Sequence, residues 1–307
     1  MRSTVPVGGG RSPPALGGPN CIRNRGKVIQ VILLGTGTPI LDPARQHSAL
    51  LVEIQGEKLL FDAGRGVTSQ MVRMGLLPQQ INAIFITHHH YDHIGNLGEF
   101  LLTAWHNGRK APVTIYGPPG TGGIVNALFD QVYARDIAFA LSTEIGMVDI
   151  RKLVQVKEIS SGLICENDKW RVIAEYVDHG NNSGLSRENW PCLGYRVEAE
   201  GKTIAISGDS VDCDGLDRIA YGVDCLIQCC YLAEAEITTP AFEHVAQYVI
   251  ASSSQVGKIA ARNQVKKLVL THIRPKSEAL MRSMKEDIRS TYHGDLLVGE
   301  DLMVIEV

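Results

Sequence analysis

Residues 87–95 read T-H-H-H-Y-D-H-I-G, placing His88, His90, Asp92 and His93 within six positions immediately after a short apolar run. Imidazole nitrogens and carboxylate oxygens are the donors that zinc takes at about 2 Å. Histidines two apart on extended backbone point the same way, and the following Asp-His pair can turn toward a second position. Three more donors stand in the same context. His179 follows a run ending at Val177, Asp209 follows Thr203 to Ser207 and Gly208, and His272 follows Lys267 to Thr271. One histidine past a strand is ordinarily structural. Several arriving together with the cluster are not readily ascribed to chance. His88, His90, Asp92, His93, His179, Asp209 and His272 are enough donors for two metals with one shared carboxylate and a bridging water.

Strands and turns must deliver these groups. From Lys27 the chain runs V-I-Q-V-I-L-L, a buried strand, into Gly35-Thr36-Gly37-Thr38-Pro39. Ala49 to Ile54 and Lys58 to Phe61 read as a hairpin around Gly56 that ends in Asp62-Ala63-Gly64. Val67 to Leu77 has helical spacing and stops at Pro78, and Ala83 to Ile86 is a strand, which completes a βαβ signal. Leu97 to His106 is helical and Val113 to Tyr116 a strand. Trp170 to Val177, Leu193 to Glu198, Thr203 to Ser207 and Lys267 to Thr271 read as strands, with a helix from Ser254 to Asn263. Loops at strand carboxyl ends are where open α/β sheets build sites.

The 307 residues are 44% hydrophobic and 21% charged, which excludes a disordered or fibrous chain. We expect a Gly- and Pro-rich flexible tail over residues 1–26 and one domain over 27–307. No run approaches the ~20 apolar residues that span a bilayer, and no apolar signal-peptide core opens the chain; the expectation is a cytoplasmic protein with no membrane partner. Residues 1–27 hold five basic side chains and no acid, so the net charge of −3 conceals a remainder of −8. That acidic body favours a small-molecule substrate over nucleic acid. Seven cysteines without a C-x-x-C spacing argue against a disulfide framework, and Cys229 and Cys230 read as small buried residues.

In order, L-L-G-T-G-T-P, F-D-A-G-R-G, T-H-H-H-Y-D-H-I-G, D-H-G, S-G-D-S and L-V-L-T-H-I resemble the metallo-β-lactamase superfamily over residues 28 to about 275. Within it, the opening Leu34 to Pro39, the spacing to Asp209 and the late His272 resemble the ribonuclease Z and arylsulfatase-like branch. Gly117-Pro118-Pro119-Gly120-Thr121 and Tyr133 to Ile137 look most like its arylsulfatase-type members. The resemblance implies an α/β fold, the αββα four-layer sandwich, with two Zn²⁺ per chain (Mn²⁺ or Fe²⁺ as alternatives). By motif position His88, His90 and His179 would hold one metal, Asp92, His93 and His272 the other, and Asp209 would bridge. Asp62 would support the metal loop. His89 and Tyr91 fall on variable positions. The implied chemistry is hydrolysis by a metal-bridging hydroxide, with Asp92 orienting it or accepting its proton.

The chain departs from ribonuclease Z where those enzymes carry H-E-A-T: the corresponding stretch Leu226-Ile227-Gln228-Cys229-Cys230-Tyr231 lacks the His and the Glu, and Ile250 and Ala251 stand where a later histidine is expected. His244 lies nearby and reads as a partly buried helix residue. A nucleoside 3′-hydroxyl is a poor leaving group that benefits from general acid help. The leading expectation is therefore a hydrolase of small aryl sulfate, phosphodiester or other activated esters. The alternative is a ribonuclease Z-type tRNA 3′-processing endonuclease; lactone, β-lactam or aryl halide hydrolysis is a further one. A degenerate binding protein is disfavoured because every ligand position is filled. Trp105, Trp170 and Trp190 read as core or pocket-wall residues, and residues 180–191 as a lid beside His179. Homodimers are common in this branch, but no interface is legible. His47, His106 and His293 receive no role.

Overall fold

The computed structural model describes residues 28–307. The tail expected over 1–26 lies outside them.

Two sheets of seven strands form the centre. The first holds β1 (Gln30–Gly35), β2 (Ala49–Ile54), β3 (Glu57–Phe61), β4 (Ala83–Phe85), β5 (Val113–Gly117) and β6 (Val154–Glu158), with β14 (Val304–Glu306) beside β1. The second runs from β7 (Gly162–Glu166) through β8 (Trp170–Tyr176), β9 (Leu193–Ala199), β10 (Lys202–Ile206), β11 (Cys225–Cys229) and β12 (Lys267–Thr271) to β13 (Asp295–Val298). Pairing is antiparallel from β1 to β3 and from β7 to β10. It is parallel from β3 to β6 and from β10 to β13. Parallel neighbours need long crossovers, and helices supply them. The helices are α1 (Val67–Arg73), α2 (Tyr91–Ile94), α3 (Leu97–His106), α4 (Thr121–Ala127), α5 (Ala134–Thr143), α6 (Asp214–Ala220), α7 (Pro240–Tyr248), α8 (Ser253–Arg262) and α9 (Glu278–Arg289).

Period-2 alternation turns two sheets into four layers. In β1, Val31 and Leu33 face the core between the sheets, while Ile32 and Leu34 join Phe100, Leu101, Trp105 and Ile137 under the helices of the first sheet. In β10 and β11, Ile204, Ile206, Cys225 and Ile227 face inward. Ala205 and Leu226 pack with Leu216, Ile259, Met284 and Ile288 beneath α6, α8 and α9. β1, β4, β11 and β12 are buried on both faces over most of their length, which is why these segments read as continuous apolar runs. The layers are the α/β sandwich expected.

Between the sheets lies an aromatic group. Phe61 and Phe85 stack at 4.8 Å, and Tyr195 meets both edge-on at 5.5 and 5.7 Å. The fully buried Tyr195 hydroxyl donates to the Ile86 carbonyl at 2.6 Å, on the residue before Thr87. Burial pushes this phenol well above its ordinary pKa, so the donor keeps its proton. β9 thereby anchors the start of the histidine run. Among the described residues no helix is long and apolar enough to cross a membrane. Tyr195→Phe leaves the Ile86 carbonyl unsatisfied inside the core, and denaturant unfolding should show a loss of about 1–3 kcal/mol; a change of only a few tenths would show that the bond anchors nothing.

Candidate metal centre

The strand ends converge as their positions require. β3 ends at Asp62, β4 leads into Thr87 and the histidine run, β8 into His179, β10 into Asp209 and β12 into His272. Two groups result: His88, His90, His179 and Asp209, and Asp92, His93 and His272, each with one donor atom per residue lying within 4.8 Å of the others. Nε2 of His88 and Nε2 of His179 stand 3.0 and 3.1 Å from Nδ1 of His90. Asp209 Oδ2 faces both groups, 4.0 Å from His179 Nε2, 3.5 Å from His93 Nε2 and 3.1 Å from His272 Nε2. Asp92 Oδ2 lies 3.2 Å from His272 Nε2. All seven expected residues are thus brought together, and only His90 is exposed.

A ring of outer contacts sets which nitrogen points inward. His179 Nδ1 donates to the Val249 carbonyl at 2.6 Å, which frees Nε2 for the centre. His93 Nδ1 lies 2.7 Å from Asp62 Oδ2, and His93 Nε2 has no hydrogen-bond partner. Asp62 also accepts from the Thr87 amide at 2.8 Å and from the Thr87 hydroxyl at 2.9 Å, so one carboxylate holds both the loop and a ring. Two of these residues bend the chain sharply. Asp62 and His272 adopt left-handed backbone, with φ of 59° and 54°. Such conformations cost free energy and persist where surrounding structure enforces them. Gly208, with φ of 60°, makes the equivalent turn before Asp209, where a Cβ would press on the Leu193 carbonyl and Thr87.

The electrostatics suit a cation. Burial, with neighbouring imidazoles, lowers the pKa of His88 well below its ordinary value and that of His90 to about 4, and burial lowers that of His179. These rings are neutral at pH 7, the form that binds metal. Burial opposes charge on His93, yet Asp209 and Asp62 outweigh it and raise its pKa well above 6.5. Burial likewise opposes ionisation of Asp209, but His272 and His93 hold its carboxyl well below the ordinary range. A crowd of inward-facing imidazoles with unpartnered nitrogens beside ionised carboxylates fits metal ions by donor type, charge and tautomer. His93 would release its proton as a metal binds.

Other residues fall elsewhere. His89 turns outward to the Thr121 hydroxyl at 2.8 Å. His244 is on α7 but exposed rather than partly buried, with Nε2 2.8 Å from the Ser183 hydroxyl. Cys229, where the H-E-A-T acid would stand, is buried and lines the space beneath Asp209 and His272. His47, which received no role from the sequence, is 4% exposed, with neither ring nitrogen bonded among the described residues and its ring centroid 5.6 Å from that of Tyr91. Its signal was a histidine in a loop so tight that a Cβ on Gly35 would overlap its carbonyl. Tyr231 was missed as well. Its ring lies 6.2 Å from that of His272, with the Arg274 guanidinium 5.4 Å above it.

Residues 57–273 match the family model of the beta-lactamase superfamily domain. The chain belongs to the metallo-β-lactamase superfamily. It is 31% identical over 289 residues to Ribonuclease Z of Mycobacterium avium (strain 104), covering 91% of this chain and 99% of that protein. Ribonuclease Z of Mycolicibacterium paratuberculosis is 32% identical over 289 residues, with the same coverage. The short form of human tRNase Z superposes with a TM-score of 0.66 at 25% identity over 90% of this chain and 98% of that one. A metallo-beta-lactamase fold protein from Bacillus subtilis, TM-score 0.67 at 18% identity, covers 91% of this chain and 99% of that one and shares the fold. As a superfamily member the chain is a metal-dependent hydrolase. The leading expectation of a small-molecule ester hydrolase of the arylsulfatase kind is corrected: relatives 30–31% identical over 91% of the chain are ribonucleases Z. The argument against them weighed net charge, which is a sum over the whole surface and not the field at the site, and two absent side chains against likeness spread over 289 aligned residues.

Asp62→Asn leaves an amide where one carboxylate now accepts from Thr87 and pairs with His93. Zinc competition with a chelator should show affinity lowered by about 10–100-fold; unchanged affinity would remove Asp62 from any part in holding the site.

Proposed function

We propose that the chain is a metal-dependent endonuclease of the ribonuclease Z type that cleaves a phosphodiester of precursor tRNA at the 3′ end. One observation carries this reading: 31% identity to Ribonuclease Z across 91% of the chain and 99% of the relative. Likeness to human tRNase Z at 25% identity supports it.

His88, His90 and His179 are the proposed holders of one metal, and Asp92, His93 and His272 of the other, with Asp209 shared between them. Zinc ions, or manganese or iron in their place, would supply Lewis acidity toward the phosphoryl oxygens and a water acidic enough to attack at neutral pH. Asp92 opposes burial with its hydrogen bond to His272, which keeps its carboxyl below the ordinary range and ionised. It is therefore able to accept a proton from the attacking water. The Tyr231 ring lies 6.2 Å from that of His272, and burial raises the pKa of its phenol. It keeps its proton at pH 7, and donating a hydrogen bond to the departing 3′-oxygen is its proposed role. Arg274, above the Tyr231 ring and 5.3 Å from that of Phe242, brings positive charge to the same rim.

Incubation of the zinc-loaded protein with a 3′-extended precursor tRNA should give one endonucleolytic cut. Asp209→Ala should lower its rate by on the order of 10³-fold or more, as when a charge-stabilising group is lost, with the circular dichroism spectrum unchanged. Precursor left intact by an enzyme that turns over small esters would overturn the reading.

A further inference from the structure

Beside the metal centre is a cavity of about 310 Å³, whose walls are the ligand imidazoles His90 and His179 together with Trp190, Leu185, Val249 and Ser183. We infer that this cavity is a nucleobase subsite, with Trp190 as the wall on which the base stacks; the inference deepens the endonuclease reading and rests on it.

Trp190 stands directly against the centre. Its ring centroid is 4.7 Å from that of His90, tilted by 49°, and 6.1 Å from that of His88. A planar group stacked there would sit beside His90 and His179, two of the proposed ligands. The walls apart from the two imidazoles are an indole, two aliphatic side chains, a glycine and a hydroxyl. Among the described residues no Lys, Arg, Asp or Glu lines the cavity, so it suits an uncharged flat ring better than a phosphate. The Ser183 hydroxyl, already 2.8 Å from His244 Nε2, offers a hydrogen bond to the edge of such a ring. Aromatic faces accept every base, because each has a π-face.

The wall is held in place. Asn181 Nδ2 donates to the Trp190 carbonyl at 2.8 Å, Asn181 Oδ1 accepts from the His179 amide at 3.0 Å, and the Gly180 amide donates to the Tyr248 carbonyl at 2.7 Å. The loop between these anchors is exposed, and Leu185 is 47% exposed at the cavity rim. Trp105 and Trp170 are placed differently: Trp105 is 2% exposed in the core, and the Trp170 ring donates to Glu57. Trp190 is thus the tryptophan that a bound base would touch.

The experiment compares RNA substrates that carry a base or an abasic sugar next to the scissile phosphate, on either side of it. The zinc-loaded enzyme should prefer the base on one side by about tenfold or more in kcat/KM. Trp190→Ala and Leu185→Asp should bring that preference close to one through KM, and Trp190→Phe should retain it, with zinc content unchanged in all three. A wild type indifferent to the base overturns the inference. So does a Trp190→Ala enzyme that keeps the preference, or one that loses zinc and slows equally on both substrates. Adenosine should quench the tryptophan fluorescence of the wild type and not that of Trp190→Phe; equal quenching in both overturns the subsite. This second readout needs no RNA cleavage, so failure of the endonuclease reading and failure of the subsite are told apart.

Discussion

Taking imidazoles and carboxylates out of water is expensive unless each finds a partner, and this molecule does so with seven of them at one end of its sandwich. His88, Asp92, His93, His179, Asp209, His272 and Asp62 are all 5% exposed or less. The outer nitrogens of His88, His93 and His179 lie against the Thr87 hydroxyl, Asp62 and the Val249 carbonyl, and the inner ones face each other. Everything nearby follows from that requirement. β3 and β4 must end side by side so that Asp62 reaches Thr87 and His93, β9 must hold the Ile86 carbonyl, and Asp62 and His272 accept left-handed backbone to turn inward. Mutual satisfaction among the protein's own groups is incomplete: among the described residues the inward-facing His93 Nε2 has no hydrogen-bond partner. A cation is what such a donor set completes.

Much of this was legible in the sequence because apolar strands with a polar residue at the carboxyl end leave a local signature. The segments around β1, β4, β10 and β12 are buried on both faces, so they read as continuous apolar runs, and the donors stand just past them. What was not legible depends on contacts distant in sequence. Tyr231 meets His272 from 41 positions away, and His179 depends on the Val249 carbonyl 70 residues later. Residues 121–166 hid two helices and two strands: α4 begins Thr121-Gly122-Gly123, a poor helix opening, and β6 and β7 lie at the ends of their sheets with weak apolar patterns. α9 was hidden because only Met284 and Ile288 of its twelve residues are buried.

Substrate class was the part of the sequence reading that failed, and the cause is instructive. The absence of two proton-donating side chains was read as the absence of the chemistry. In the folded molecule a different residue, Tyr231, stands beside His272 with a cation over its ring, while Cys229 fills the vacated position as a buried thiol whose pKa burial pushes up to about 12. Two missing side chains therefore do not decide which leaving group a site can serve, because residues distant in sequence also reach its surroundings. Trp190 repeats the lesson: its type in the sequence suited a pocket wall, and only its position against His90 gives that wall a chemical meaning.

The account stands or falls on the metals. Elemental analysis of the protein purified without chelator should return close to two zinc ions per chain, as a shared carboxylate between two imidazole groups requires, and a His272→Ala chain should return close to one. A wild-type chain that cleaves its substrate at full rate with no bound metal would contradict it.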